Sequence, residues 1–273
     1  MIKIGCNFLS FKRLPMVVDE FIQMSYDIGL DVIDFHHRAF ASDDRDYLLA
    51  LKKKCLELGL PVGYMGVAGG FGGTEEERRQ NIDQAKAAID TSAFFGAPLV
   101  RVFGAHCPPE VTDREPLFAS LAKALKEVAD YGEEKGVIVA LQNHDNRNLA
   151  ATGPDVLRIL SDVDHPNCSY IMDTGQWRGS VGAAGDPDPN VDIYAYMEQT
   201  LPHACYVRAK IYKIASGREE LLDYERIVGI LKKQDYNGSI SIVYEGQEEG
   251  DRVELIKKAA SHLRELIARS SLG

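Results

Sequence analysis

Polar and charged side chains recur in pairs at the ends of several short apolar stretches of the sequence. Side chains two positions apart point to the same face of a β-strand. Four pairs are spaced in this way: Gln142 with His144, Arg208 with Lys210, Val243 with Glu245, and Asp34 with His36. Imidazole, amine and carboxylate groups are the ones that proteins use for proton transfer, so this pattern indicates acid–base chemistry.

The second residue of each pair lies about 6.5 Å further along its strand than the first. The lower set consists of Gln142, Asp173, Arg208 and Val243, with Asp173 at the end of a separate stretch. The upper set consists of His144, Lys210 and Glu245. Converging charges are costly to remove from water, so a functional site explains these residues better than packing does.

A repeated unit of strand, helix and glycine positions these residues. Helical stretches with one apolar face end at glycine, which closes a helix at little steric cost, and an apolar strand follows. The glycines with this arrangement are Gly29, Gly59, Gly96 and Gly136. Two helices are predicted to begin with capping boxes, one pairing Thr74 with Glu77 and the other Thr112 with Glu115.

Eight strands are predicted, and they are mostly apolar on both faces, as parallel strands covered by helices are. Their predicted bounds are 2–7, 32–37, 61–67, 99–104, 137–143, 168–173, 206–211 and 239–245. The chain has 273 residues, close to the ~250 residues typical of a (β/α)8 barrel. Because no linker divides it, we expect an α/β protein with a single TIM barrel domain over residues 1–273.

Two glycine-rich loops follow strands at the end where barrel enzymes place their sites. Residues 66–73 follow the third strand, and residues 176–190 follow the sixth and contain Trp177, the only tryptophan. We expect the second loop to cross the barrel mouth as a lid or connector, with Trp177 available to stack on a bound ligand. The first loop leads into an acidic helix start that would repel phosphate.

The net charge of −10 and the isoelectric point near 5.2 disfavour nucleic acid and anionic lipid as partners. The five cysteines contain no C-x-x-C pair, and they are interpreted as buried apolar residues in a reducing compartment. With no signal region and no apolar run of about 18 residues, a cytoplasmic location is predicted.

Five sequence pieces follow one another at successive strand ends. They are VRVFG at 100–104, ALQNH at 140–144, MDTG at 172–175, VRAK at 207–210 and SIVYEG at 241–246. At these residues the chain resembles the xylose isomerase-like sugar phosphate isomerase/epimerase family, a set of TIM barrels that also includes the endonuclease IV type.

The resemblance implies a divalent metal held by four side chains: Glu on strand five, Asp on strand six, His or Gln on strand seven, and Glu on strand eight. It also implies proton transfer beside a keto group. Only Asp173 matches that set, because the other three positions hold Gln142, Arg208 and Val243. Arginine has no free lone pair and valine has no ligand atom. We therefore expect an altered metal site, in which Arg208 paired with Asp173 supplies the positive charge.

Two versions of an enzyme follow, both acting on a small keto or polyhydroxy carbohydrate by isomerisation, epimerisation or dehydration. In one, Glu245 or His144 is the general base, Lys210 is an acid or electrostatic stabiliser, and Arg208 is the oxyanion partner. In the other, a displaced Mn, Mg, Co or Zn ion is held by His144, Asp173 and Glu245. The residues expected to bind substrate are Arg208, Gln142, Asp34, His36 and Trp177.

Two further functions remain open at this point. The chain could be a non-catalytic carbohydrate-binding or partner subunit on a decayed isomerase barrel, with Arg208 and Asp173 forming a structural ion pair. DNA repair of the endonuclease IV type would need several metals and a basic groove, which the charge of −10 and the missing ligands disfavour. A homo-oligomer is also possible.

Overall fold

The computed structural model of the protein describes residues 1–12, 14–145, 147–182 and 185–269. In that part of the chain, eight parallel strands close into a barrel in sequence order, and a helix follows each strand. The predicted single (β/α)8 TIM barrel is therefore confirmed. The division into one domain over residues 1–273 stays a prediction, and residues 270–273 lie outside the described residues.

The strands are β1 Lys3–Asn7, β2 Val32–His36, β3 Val62–Gly66, β4 Leu99–Phe103, β5 Ile138–Gln142, β6 Cys168–Asp173, β7 Ala204–Ile211 and β8 Ser239–Tyr244. The helices are α1 Val18–Asp27, α2 Arg45–Glu57, α3 Glu75–Phe95, α4 Glu115–Lys135, α5 Gly153–Val163, α6 Ile193–Thr200, α7 Tyr224–Lys233 and α8 Arg252–Arg269. No helix among the described residues combines the length and the apolar character needed to cross a bilayer.

Helix ends follow the predicted chemistry with one exception. Gly96 and Gly136 end α3 and α4 in the left-handed conformation. The box at α3 is present, with the Glu77 amide donating to Thr74 Oγ1 at 3.2 Å. The predicted box between Thr112 and Glu115 is wrong, because α4 begins at Glu115 itself, after Arg114 and without a side-chain cap.

Strand register brings the predicted site residues to one end of the barrel. Asp173 lies opposite Arg208 on the neighbouring strand, and Lys210 lies opposite Val243. Most of the apolar core lies between the strands and the helices. A smaller interior cluster fills the amino-terminal end of the barrel, and consists of Tyr64, Leu99, Ala140, Ile171 and Tyr206. The polar side chains lie above this floor.

Candidate functional site at the barrel mouth

A buried ion network lies where β6, β7 and β8 end. Arg208 Nη1 donates to Asp173 Oδ2 at 2.9 Å, and Lys210 Nζ lies 3.6 Å from the same oxygen. Lys210 Nζ also donates to Glu245 Oε2 at 2.6 Å. The side chains of Asp173, Arg208 and Lys210 are almost completely buried, whereas 38% of the Glu245 side chain is exposed. Glu245 is therefore the member of the network that reaches the open mouth.

Gln142 joins this network through both ends of its amide. Its Oε1 accepts from Arg208 Nη1 at 2.6 Å, and its Nε2 donates to Asp173 Oδ2 at 3.3 Å. A carboxylate at this position could accept from the arginine, but it could not donate to the aspartate. The amide therefore fits the Arg208–Asp173 pair better than a glutamate would.

The backbone and Asn143 fix the orientation of Asp173. Gly175 N donates to Asp173 Oδ1 at 3.0 Å, and the Asn143 amide bonds to both backbone polar groups of Asp173. Gly175 also makes room for Lys210, because a Cβ on Gly175 would lie 2.5 Å from Lys210 Cγ. The sequence after β6 thus holds the carboxylate and the ammonium side by side.

Arg101 of β4 is a second buried guanidinium that the sequence analysis did not select. Its Nη1 donates to Val67 O at 2.7 Å, and its guanidinium lies 4.1 Å from the centre of the Phe103 ring. Burial, with a further contribution from Arg208, lowers the pKa of Arg101 to about 9. The signal was available, because Arg101 shares the inward face of its strand with Phe103.

Asp34 lies in the barrel interior and not at the mouth, which corrects its assignment to substrate binding. It is completely buried, and it accepts hydrogen bonds from Tyr206 OH at 2.9 Å and from Ser241 Oγ. Burial raises the pKa of Asp34 to about 7, although these bonds and Arg208 oppose the shift. Two residues along the same strand, His36 is higher and only partly buried.

The two predicted histidines lie at the ends of β2 and β5. Burial lowers the pKa of His36 to about 4, with Arg101 adding to the shift. Burial also lowers the pKa of His144 to about 4; Asp173 opposes this shift and Lys210 reinforces it. His144 Nδ1 lies 3.6 Å from Asp145 Oδ1, and its ring meets Phe103 edge-on. Both imidazoles are therefore neutral at pH 7.

Trp177 does not lie across the mouth, which corrects the expectation that a sugar stacks on it. The side chain has no exposed surface, and its ring packs 5.6 Å from the Tyr196 ring of α6. The apolar indole is more stable in the core than in water at the barrel end. Residues 183–184 of the predicted lid lie outside the described residues.

Residues 22–266 match the sequence profile of the xylose isomerase-like TIM barrel family. The chain belongs to this family. A fructoselysine 3-epimerase from Shigella flexneri is 26% identical over 186 residues, which are 63% of this chain and 65% of that enzyme. The match thus spans slightly less than two thirds of the length of this curated relative.

Two solved structures share the fold across nearly the whole chain. The 3-keto-D-glucoside 4-epimerase of Escherichia coli superposes with a TM-score of 0.77 at 17% identity, covering 97% of this chain and 100% of that one. An L-ribulose 3-epimerase superposes with a TM-score of 0.79 at 18% identity, covering 100% of this chain and 98% of that one. At these identities the likeness concerns the fold.

The divalent metal that the xylose isomerase-like resemblance implies does not fit the side chains at this site. Among the described residues, no three His, Cys, Asp or Glu side chains form a group that could hold a metal ion. His144, Asp173 and Glu245, the predicted displaced ligands, form no such group. Lys210 Nζ contacts both carboxylates, and Arg208 contacts Asp173 as well. A metal ion there would be repelled by these charges.

Proposed function

We propose that this chain is a sugar isomerase or epimerase that removes a proton from a carbon beside a carbonyl. Arg208 and Lys210 would supply the positive charge in place of a metal ion. The observation that carries the proposal is the convergence of these two buried cations with Asp173 and Glu245 at the barrel mouth. Sugar epimerases among the family's solved structures and curated relatives support it.

Glu245 is assigned as the general base because it is the exposed carboxylate of the network. Partial burial alone would raise the pKa of Glu245, but the charge and hydrogen bond of Lys210 lower it on balance. The group is therefore ionised at neutral pH and can accept a proton. A carboxylate of low pKa is a weak base for a C–H bond, so stabilisation of the product anion must contribute most of the rate.

Lys210 and Arg208 provide that stabilisation. When Glu245 removes the proton, the C–H electron pair forms a C=C bond and the carbonyl π pair moves onto the oxygen, which gives an enolate. The ammonium, already 2.6 Å from Glu245, is placed to donate to this oxygen, and Arg208 adds a fixed positive charge behind it. Preorganised donors of this kind contribute about 3–4 kcal/mol each to acyl-transfer transition states.

The fate of the proton decides between the two reactions. If Glu245 returns it to the neighbouring carbon, and the hydroxyl proton on the first carbon moves to the former carbonyl oxygen, the product is an isomer with the carbonyl moved by one position. If the enolate is protonated from its opposite face, the product is an epimer. His144, which follows β5, is the titratable side chain we assign to that second face; because its imidazole is neutral at pH 7, it would relay a proton from solvent water.

Deuterium exchange tests the proposal directly. A panel of ketoses and keto-glycosides is incubated in D2O, and proton NMR measures the loss of signal at carbons beside the carbonyl. We expect exchange with the wild-type protein and none with Glu245→Gln. Carbohydrate binding without exchange on any member of the panel would favour the non-catalytic alternative, in which the ion network only stabilises the barrel.

Cytoplasmic location, a possible homo-oligomer and the absence of nucleic-acid partners stay predictions from the sequence.

A further inference from the structure

A groove of about 720 Å3 opens beside the barrel mouth, between the β3–α3 loop and the β4–α4 loop. Its lining mixes apolar side chains, among them Phe103, Pro108 and Leu117, with polar ones, among them Asn81 and Asn148. Cavities of about 300–1,000 Å3 hold ligands of drug size, so the groove takes a molecule larger than one hexose. Its mixed lining matches a sugar ring, which has an apolar face and a hydroxyl rim.

His144 is the side chain through which the groove and the ion network are neighbours. It lies two residues beyond the end of β5 and lines the groove together with Phe103, the last residue of β4. The charges of Asp173 and Lys210 influence the pKa of His144, although neither side chain is among the described residues that line the groove. A molecule that reacts above Lys210 would therefore have to pass His144 to reach the groove.

Glycines in the β3–α3 loop let it pack closely against the β4–α4 loop beside the groove. A Cβ on Gly70 would lie 2.2 Å from Gly104 O, and a Cβ on Gly72 would lie 2.9 Å from His106 N. The loop therefore packs against the β4–α4 loop in a way that no larger residue allows at these positions. Asn81 Nδ2 holds the loop there by donating to Gly70 O at 2.7 Å.

The charge of the groove disfavours an anion. Among its described lining residues, Glu77 is the side chain charged at neutral pH, and hydrogen bonds from the Thr74 backbone and hydroxyl lower the pKa of its carboxyl. Glu76 adds a second carboxylate to the same helix turn, while Glu75 pairs with Arg78. A phosphate or a uronic acid would meet this negative charge, whereas a neutral polyol would not.

We propose that the groove binds the second unit of a neutral disaccharide or glycoside, whose keto-sugar unit reacts at the barrel mouth. The inference rests on the proposed function and names the substrate class of that site. Four observations support it: the groove adjoins the network at His144, exceeds one hexose in size, mixes apolar and polar side chains in its lining, and carries the negative charge of Glu77.

Binding measurements test the groove without requiring turnover. Isothermal titration compares D-fructose with its neutral disaccharides turanose, lactulose and isomaltulose, and with fructose 6-phosphate. We expect at least one disaccharide to bind about tenfold more tightly than fructose, and the phosphate to give no gain. Equal affinity for fructose and all three disaccharides, or tighter binding of the phosphate, would overturn the proposal.

Two variants that fill the groove locate the effect. Ala68 and Gln80 are exposed and line the groove, so Ala68→Trp and Gln80→Trp should each reduce the disaccharide preference about tenfold. Ala119→Trp, on an exposed position of α4 outside the groove, is the matched control and should keep the preference. Circular dichroism checks that each variant is folded.

A preference that survives both groove substitutions would place the second unit elsewhere and refute the inference. The proposed function fails by a different result, namely the absence of deuterium exchange on every sugar that binds. The two failures are therefore distinguishable.

Discussion

Replacing Asp173 by Asn should strongly destabilise the fold, because this carboxylate neutralises two buried cations. Arg208 Nη1 and Lys210 Nζ lie 2.9 and 3.6 Å from Asp173 Oδ2. At an effective dielectric constant of about 20, these contacts correspond to attractions of about 6 and 5 kcal/mol before desolvation is subtracted. Asparagine keeps the shape of the side chain but leaves both cations without that charge.

Breaking a buried ion pair by removing one partner typically costs about 3–5 kcal/mol of unfolding free energy. For a chain of this size that is a fall in Tm of about 10 °C. Urea denaturation followed by circular dichroism measures the free energy. The matched control is Asp162→Asn, whose Arg158 contact is half exposed at 3.3 Å, and which should cost less than about 1 kcal/mol.

A double variant separates charge from packing. Arg208→Met in the Asp173→Asn background removes one uncompensated cation, so it should recover part of the loss. If Asp173→Asn costs no more than the Asp162→Asn control, the two cations do not depend on this carboxylate, and the interpretation of the network is refuted.

Three further predictions concern catalysis, pH and the tryptophan. Glu245→Gln should lower kcat by about 10²–10⁴-fold while sugar binding, measured by titration calorimetry, is largely kept; full activity on an identified substrate would reject Glu245 as the base. Burial raises the pKa of Asp34 to about 7 from its ordinary value near 4. Between pH 4 and pH 7 the native state therefore holds a proton on Asp34 that the unfolded chain has lost. The unfolding free energy of the wild-type protein should fall as the pH rises through this range. Asp34→Asn should remove this pH-dependent loss of stability. Urea denaturation from pH 4 to 8 measures the unfolding free energies of the wild type and the variant, and a parallel change in both would contradict the prediction. Trp177 is fully buried, so acrylamide should quench its fluorescence poorly, with or without sugar; strong quenching that sugar relieves would restore Trp177 to the site.

The barrel was predictable from the sequence because its signals are local. Glycine-ended helices and short apolar strands repeat along the chain, and the eight predicted strands match the observed ones within two residues at each end. Side-chain alternation was equally informative at β7 and β8, where it placed Arg208 below Lys210 and assigned Glu245 to the upper set. These positions depend only on the period of a strand.

What sequence alone could not supply was depth and exposure in the folded barrel. Alternation placed Asp34 and His36 on one face, but only the folded barrel shows that Asp34 is fully buried and bonded to Tyr206 and Ser241. Trp177 follows a strand end, yet its indole turns into the core against α6. Alternation alone places Arg101 on the inward face of β4, but its acceptor, Val67 O, is a tertiary contact that the sequence does not show.

Metal analysis together with activity after chelation tests the central claim, that Arg208 and Lys210 replace a metal ion at this site. The Mn, Mg, Co and Zn content is measured by plasma mass spectrometry in the protein as purified and again after dialysis against EDTA, and deuterium exchange on a responsive sugar is compared before and after. Our account predicts substoichiometric metal and unchanged exchange. One equivalent of metal per chain, with exchange lost on its removal and regained on its return, would contradict it.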